Sequence, residues 1–131
     1  MNALVNEWIV KAEADYHSAW RDYRARKFPN YDGAGFHAQQ CVEKYLKGFL
    51  LSCGQVSAWG HDLLAIADKC LPLLPELELE KSLLAVLTKF AVKFRYPGES
   101  ASKADAKNAI KAMEQLRVLL RRKLELPTDA I

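Results

Sequence analysis

The chain has 131 residues, half of them hydrophobic, which suffices for one hydrophobic core and not for two. Lys and Arg total 19 against 16 Asp and Glu, a formal net charge of +3 that neither demands nor excludes a nucleic-acid partner. A 27% share of charged residues with 10% aromatics excludes wholesale disorder. Cys41, Cys53 and Cys70 cannot all pair within one chain and fit no zinc spacing, so they read as reduced thiols of a cytoplasmic protein. The apolar runs are short and flanked by charge, and the first residues lack a basic-then-apolar pattern. We expect neither a secretory leader nor a membrane span.

In chain order, Trp8, Ala12, Tyr16, Ala19 and Tyr23 recur at three and four residues and predict a first helix over about residues 3–26. Phe28-Pro29-Asn30 ends it, because the residue before a proline avoids the helical region. Asp32-Gly33-Ala34-Gly35 is a loose start to a second helix, whose stripe from Phe36 onward is Ala38, Cys41, Val42, Tyr45, Phe49 and Cys53, closed by Gly54. Asp62 suits the N-cap of a short third helix in which Leu63, Leu64 and Ile66 pack. Pro75 fits near the first turn of a fourth, carrying Leu83, Leu87, Phe90 and Phe94 and broken by Arg95-Tyr96-Pro97-Gly98. Ser102 and Asp105 form a capping-box pair before a fifth helix with the stripe Ala106, Ile110, Met113, Leu116, Leu120, Leu124, which Pro127 stops. No segment alternates polar and apolar residues. The expected architecture is one all-α domain over residues 1–131, an up-and-down bundle of four long helices plus one short helix.

The chain shows no Walker-type phosphate loop, no paired-histidine helix and no serine elbow, and no cofactor is expected. His37 and Cys41 share a helical face at i, i+4, but Cys41 lies on the apolar stripe and no third ligand is near, so a packed cysteine is preferred to a metal site. Gln39, Gln40, Glu43, Lys44 and Lys47 make the polar face of the second helix, with i, i+4 pairs Gln40–Lys44 and Glu43–Lys47. That face reads first as solvated and second as a strip for a partner or ligand. His61 stands in a loop, where it can serve proton transfer or phosphate binding or neither. Arg95 can bind an anion or satisfy the last carbonyls of the fourth helix. Arg117 and Arg121, with Lys103, Lys107 and Lys111, are assigned to the solvent side of the last helix, a solubilising face before a nucleic-acid one because Glu114 and Glu125 interrupt it.

Several of these pieces in this order resemble one family. Trp8, Ala12 and Asp15, then Phe36-His37-Ala38-Gln39-Gln40-Cys41-Val42-Glu43-Lys44-Tyr45-Leu46-Lys47, then His61-Asp62-Leu63, Arg95-Tyr96-Pro97-Gly98 and a long last helix are similar to the HEPN domain of bacteria and archaea over about residues 3–125. The resemblance implies a helical bundle packed as a homodimer, with a role beside nucleotides or RNA. Many small members act with a minimal nucleotidyltransferase as a substrate-binding or toxin–antitoxin component. Others are metal-independent ribonucleases that use an Arg followed four to six residues later by His. No arginine of this chain has a histidine at that distance. RNA cleavage by its own 2′-hydroxyl needs a proton acceptor and a cation for the developing phosphorane charge. Arg95 offers the cation, and nothing beside it in sequence offers the acceptor.

The expectation is therefore a non-catalytic module binding nucleotide or RNA. Arg95 would meet phosphate, Lys44 and Lys47 would add point charges, Gln40 would bond a base or ribose, and Glu43 and His61 would lie near. The alternatives are a divergent ribonuclease using His61 or His37 as base, and a purely structural dimeric interaction protein.

Overall fold

The computed structural model describes residues 2–55 and 60–128. Among them are five α-helices and no strand: α1 (Ala3–Arg24), α2 (Tyr31–Ser52), α3 (Leu63–Cys70), α4 (Lys81–Val92) and α5 (Lys103–Lys123). Two 3-10 turns, Pro75–Glu80 and Lys93–Arg95, extend α4 at both ends. The all-α bundle expected from the periodicities is what forms.

Local chemistry sets most boundaries. Asn2 starts α1 by accepting from the Val5 amide at 2.8 Å. The helix stops at Arg24, two residues before the expected end, and Phe28 takes a positive φ of 54° while standing fully in solvent. Asn30 then caps α2 by accepting from the Gly33 amide at 2.8 Å, so α2 begins at Tyr31 and the glycines lie inside its first turns. Gly35 is there for space, since a Cβ would overlap the Phe90 ring of α4. At the other end Gly54 adopts φ +78°, its amide bonds the Leu51 carbonyl and the Gln55 amide bonds the Leu50 carbonyl, a Schellman closure. Asp62 accepts from the Leu64 and Ala65 amides, as expected of an N-cap. The Ser102–Asp105 capping box forms in both directions. Pro75 opens a 3-10 turn and not α4 itself.

Helix α2 is the axis of the molecule, packed by α1, α3, α4 and α5, while α5 also runs along α4. Between Ala34 and Leu50 almost the whole circumference of α2 is buried. The core around it contains Val5, Ile9, Tyr45, Leu46, Leu50, Leu63, Ile66, Leu84, Leu87, Phe90, Met113, Leu116 and Leu120. Each large side chain buried there contributes roughly 1.5–3 kcal/mol. The α5 stripe lies in this core throughout. Several expected core residues do not: Cys53 is exposed at the end of α2 and Leu64 points outward from α3, while Trp8, Tyr16, Tyr23, Leu83 and Phe94 are only partly covered, Phe94 because it has already left α4 for the 3-10 turn.

Candidate functional site

The strip Gln39–Gln40–Glu43–Lys44–Lys47 is not the solvated face that its pattern suggests. Gln39 is fully buried, Glu43 is 2% exposed and Lys47 is 5% exposed. The reason is tertiary: α1 lies against this side of α2, and the backbone at residues 60–61 closes over it. Gln40 Nε2 donates to Gln39 Oε1 at 2.8 Å, and Gln39 Nε2 donates to Glu43 Oε1 at 3.3 Å. The other oxygen of Glu43 meets Lys47 Nζ at 3.3 Å and His61 Nδ1 at 3.0 Å. Lys47 also donates to the Gly60 carbonyl at 2.8 Å and lies 5.6 Å from the centre of the Trp8 ring. Lys44 pairs not with Gln40 but with Asp15 of α1, at 2.5 Å.

Two things follow. The Glu43–Lys47 pair clasps the chain before α3 onto α2, holding both the Gly60 carbonyl and the His61 ring. It also presents His61 in a fixed sense, because a carboxylate only accepts. Nδ1 therefore carries the proton shared with Glu43, and in the neutral ring Nε2 is the acceptor facing outward. The His61 side chain is 79% exposed over a carboxylate that is 2% exposed. Desolvating such a carboxylate is costly unless it is paired and hydrogen-bonded, and here Gln39, Lys47 and His61 supply three donors.

Four of the six residues expected at the site thus come together directly or through Gln39: Gln40, Glu43, Lys47 and His61. Lys44 is one turn away on Asp15. Arg95 is elsewhere. It ends the 3-10 turn that follows α4, exposed, at the end of the bundle where Gly35 meets Phe90. Gly35 and Glu43 are eight residues apart on α2, roughly 12 Å along its axis.

A second polar network escaped the sequence reading. Arg117, assigned to the solvent side of α5, is 3% exposed and forks onto Glu13 of α1, Nε to Oε2 at 2.8 Å and Nη2 to Oε1 at 2.6 Å. Tyr45 donates to Glu13 at 2.5 Å and accepts from Arg121 at 2.8 Å. The Arg117 guanidinium lies 4.1 Å over the Tyr16 ring, and Tyr16 and Trp20 both donate to Glu114, at 2.6 and 2.8 Å. Burial works against the Glu13 charge, but the Arg117 and Tyr45 hydrogen bonds and the two arginine charges outweigh it and hold its carboxyl below the usual range. The same pairing raises Arg117, and burial with the Glu13 hydrogen bond raises Tyr45. The available signal was Glu13, four residues after the buried Ile9, facing Arg117, four after the buried Met113: opposite charges on two core-facing stripes. Arg121 is also drawn in, whereas Lys103, Lys107 and Lys111 are exposed as expected. Among the described residues every buried side-chain nitrogen and oxygen has a partner.

His37 bonds Asp22 at 3.0 Å, and Cys41 is fully buried, its thiol pushed well up by burial and by Glu13 nearby. Such a thiol neither ionises nor ligates readily. Among the described residues no group of three or more His, Cys, Asp or Glu is placed to hold a metal ion. No helix among them is long and apolar enough to cross a membrane.

Fold and interior together define a small helical-bundle domain built on one central helix, with a glutamate-anchored histidine at its surface. The HEPN-domain family model matches residues 5–123, and the chain belongs to that family. The crystal structure of TT1696 from Thermus thermophilus is similar, with a TM-score of 0.73 and 28% identity over 91% of this chain and 97% of that one. A search of curated proteins finds no match.

Proposed function

We propose that this chain is a non-catalytic HEPN module, the accessory or substrate-binding component of a minimal nucleotidyltransferase or of a toxin–antitoxin pair, which takes up nucleotide or RNA and works as a homodimer. The reading rests on one observation above all: a HEPN domain in which no arginine is followed by histidine within four to six residues. In this reading the buried clasp leaves only part of the polar strip to a ligand. Glu43 and Lys47 neutralise each other inside and Lys44 is held by Asp15, so these three shape the surface more than they contact the ligand. His61 and Gln40 reach the surface from the same clasp, and exposed Arg95 offers phosphate a separate contact.

The test is co-expression with a minimal nucleotidyltransferase from the same genome, followed by calorimetry with nucleotides and a short RNA. Co-purification with nucleotide or RNA uptake is the expected result. Failure of both removes the proposal.

The His61–Glu43 geometry favours a second reading, a divergent ribonuclease, because a carboxylate-held imidazole whose Nε2 has no partner among the described residues is suited to removing a proton from a 2′-hydroxyl. It predicts metal-independent cleavage of RNA by the purified protein, abolished by His61→Ala. Equal cleavage by parent and variant, or none by the parent, sinks it.

A further inference from the structure

On the α1 side of the clasp an open hollow of about 140 Å³ is lined by Leu4, Glu7, Trp8 and Lys11. These residues fall at i, i+3, i+4 and i+7 on one helical face. Helix α1 can lie this close to α2 because position 48 is glycine: a Cβ there would meet Trp8 Cβ at 3.2 Å and Ile9 Cδ1 at 3.3 Å. That approach seats the Trp8 indole beside the Lys47 ammonium, 5.6 Å from the ring centre, and Lys47 leads through Glu43 to His61 by contacts of 3.3 and 3.0 Å. A continuous chain of contacts therefore runs from Trp8 in the hollow to the exposed His61, through an ion pair that is itself buried.

The chemistry at its two ends is specific. Leu4, half exposed, and the partly covered indole offer an apolar planar floor, and stacking on such a floor suits a nucleobase. Glu7, exposed on the rim, accepts hydrogen bonds only, which matches an exocyclic amine. Lys11, one turn further and also exposed, is a point charge for phosphate. His61 Nε2, with Nδ1 committed to Glu43, accepts from a hydroxyl. An amine-bearing base, a sugar hydroxyl and a phosphate together make a ribonucleotide.

We infer that the Trp8 hollow and His61 form one ribonucleotide site, with the base on Trp8, the phosphate on Lys11 and a ribose hydroxyl donating to His61. This rests on the nucleotide-binding reading above and adds to it a location and a preference for ribose.

Calorimetry of the full chain with AMP, adenosine and 2′,3′-dideoxy-AMP tests it. The expected order is AMP tightest, with the dideoxy analogue roughly fivefold to tenfold weaker, the loss of one net hydrogen bond. His61→Ala should erase the difference between AMP and the dideoxy analogue. Lys11→Ala should weaken AMP and leave adenosine unchanged, and Trp8→Leu should weaken all three. Lys11 and His61 are exposed, so those two variants decide the matter even if Trp8→Leu unfolds.

AMP affinity unmoved by Lys11→Ala and His61→Ala overturns this location while leaving nucleotide binding by the module in place. RNA uptake without AMP binding overturns it likewise. Binding of neither nucleotide nor RNA takes down the functional reading as well, so the two failures are distinguishable.

Discussion

The most consequential residues are polar ones inside the fold. The Arg117 guanidinium is nearly inaccessible and its charge is met by Glu13, so removing one partner strands the other. Glu13→Ala should cost about 3–5 kcal/mol, and the double change Glu13→Ala with Arg117→Leu should recover part of that loss, measured by urea unfolding. The sign with pH follows from the depressed Glu13 carboxyl. Its contribution is fully present above the ordinary glutamate value of 4.5 and is lost as pH falls through the lower folded value. Stability should fall steeply as pH drops from 4.5 to that lower value in the parent, and more gently over the same window in Glu13→Gln. Unfolding midpoints between pH 6 and 3 check this, and parallel curves would refute it. The thiols make a simpler test. Cys41 and Cys70 are buried, burial pushing the Cys70 thiol up to about 12, while Cys53 is exposed. A thiol reagent should therefore modify one cysteine in the native protein and three after denaturation.

At the scale of elements, glycine and the caps decide how helices meet. Gly35→Ala puts a methyl group into the Phe90 ring, and overpacking of this kind costs about 1–3 kcal/mol. Phe90→Leu should relieve part of it in the double variant, and thermal unfolding of the three proteins reports the coupling. Ser102→Ala removes one half of a complete capping box and should cost about 1 kcal/mol. The elements were largely legible in the chain because their signals are local. Asp62, Ser102 and Gly54 act within four residues of themselves, and the α5 stripe repeats without interruption. The start of α2 was less legible, since Asp32-Gly33-Ala34-Gly35 looks like a loop until Phe90 is seen to need the space. The end of α4 was misplaced for a similar reason, as Phe94 keeps the helical period while the backbone tightens into a 3-10 turn.

For the whole molecule, one helix sets the stability. Because α2 touches four other helices, Leu46→Ala at its centre should cost about 2–5 kcal/mol in chemical denaturation. Amides in the middle of α2 should be the last to exchange with deuterium. Equal protection across α2 and the short α3 would contradict that hierarchy.

What the sequence determined by itself was the helical class, most of the helices and their caps, and family membership, because periodicity and capping are short-range and survive without knowledge of neighbours. Which polar residues are buried, and with whom, was decided only by tertiary structure. Charged residues at helical spacing look alike whether they face water or a partner helix of opposite charge. Gln39, Glu43 and Lys47, and likewise Arg117, became interior groups only when α1 closed over α2 and α5, and His61 became the exposed end of their network by the same closure.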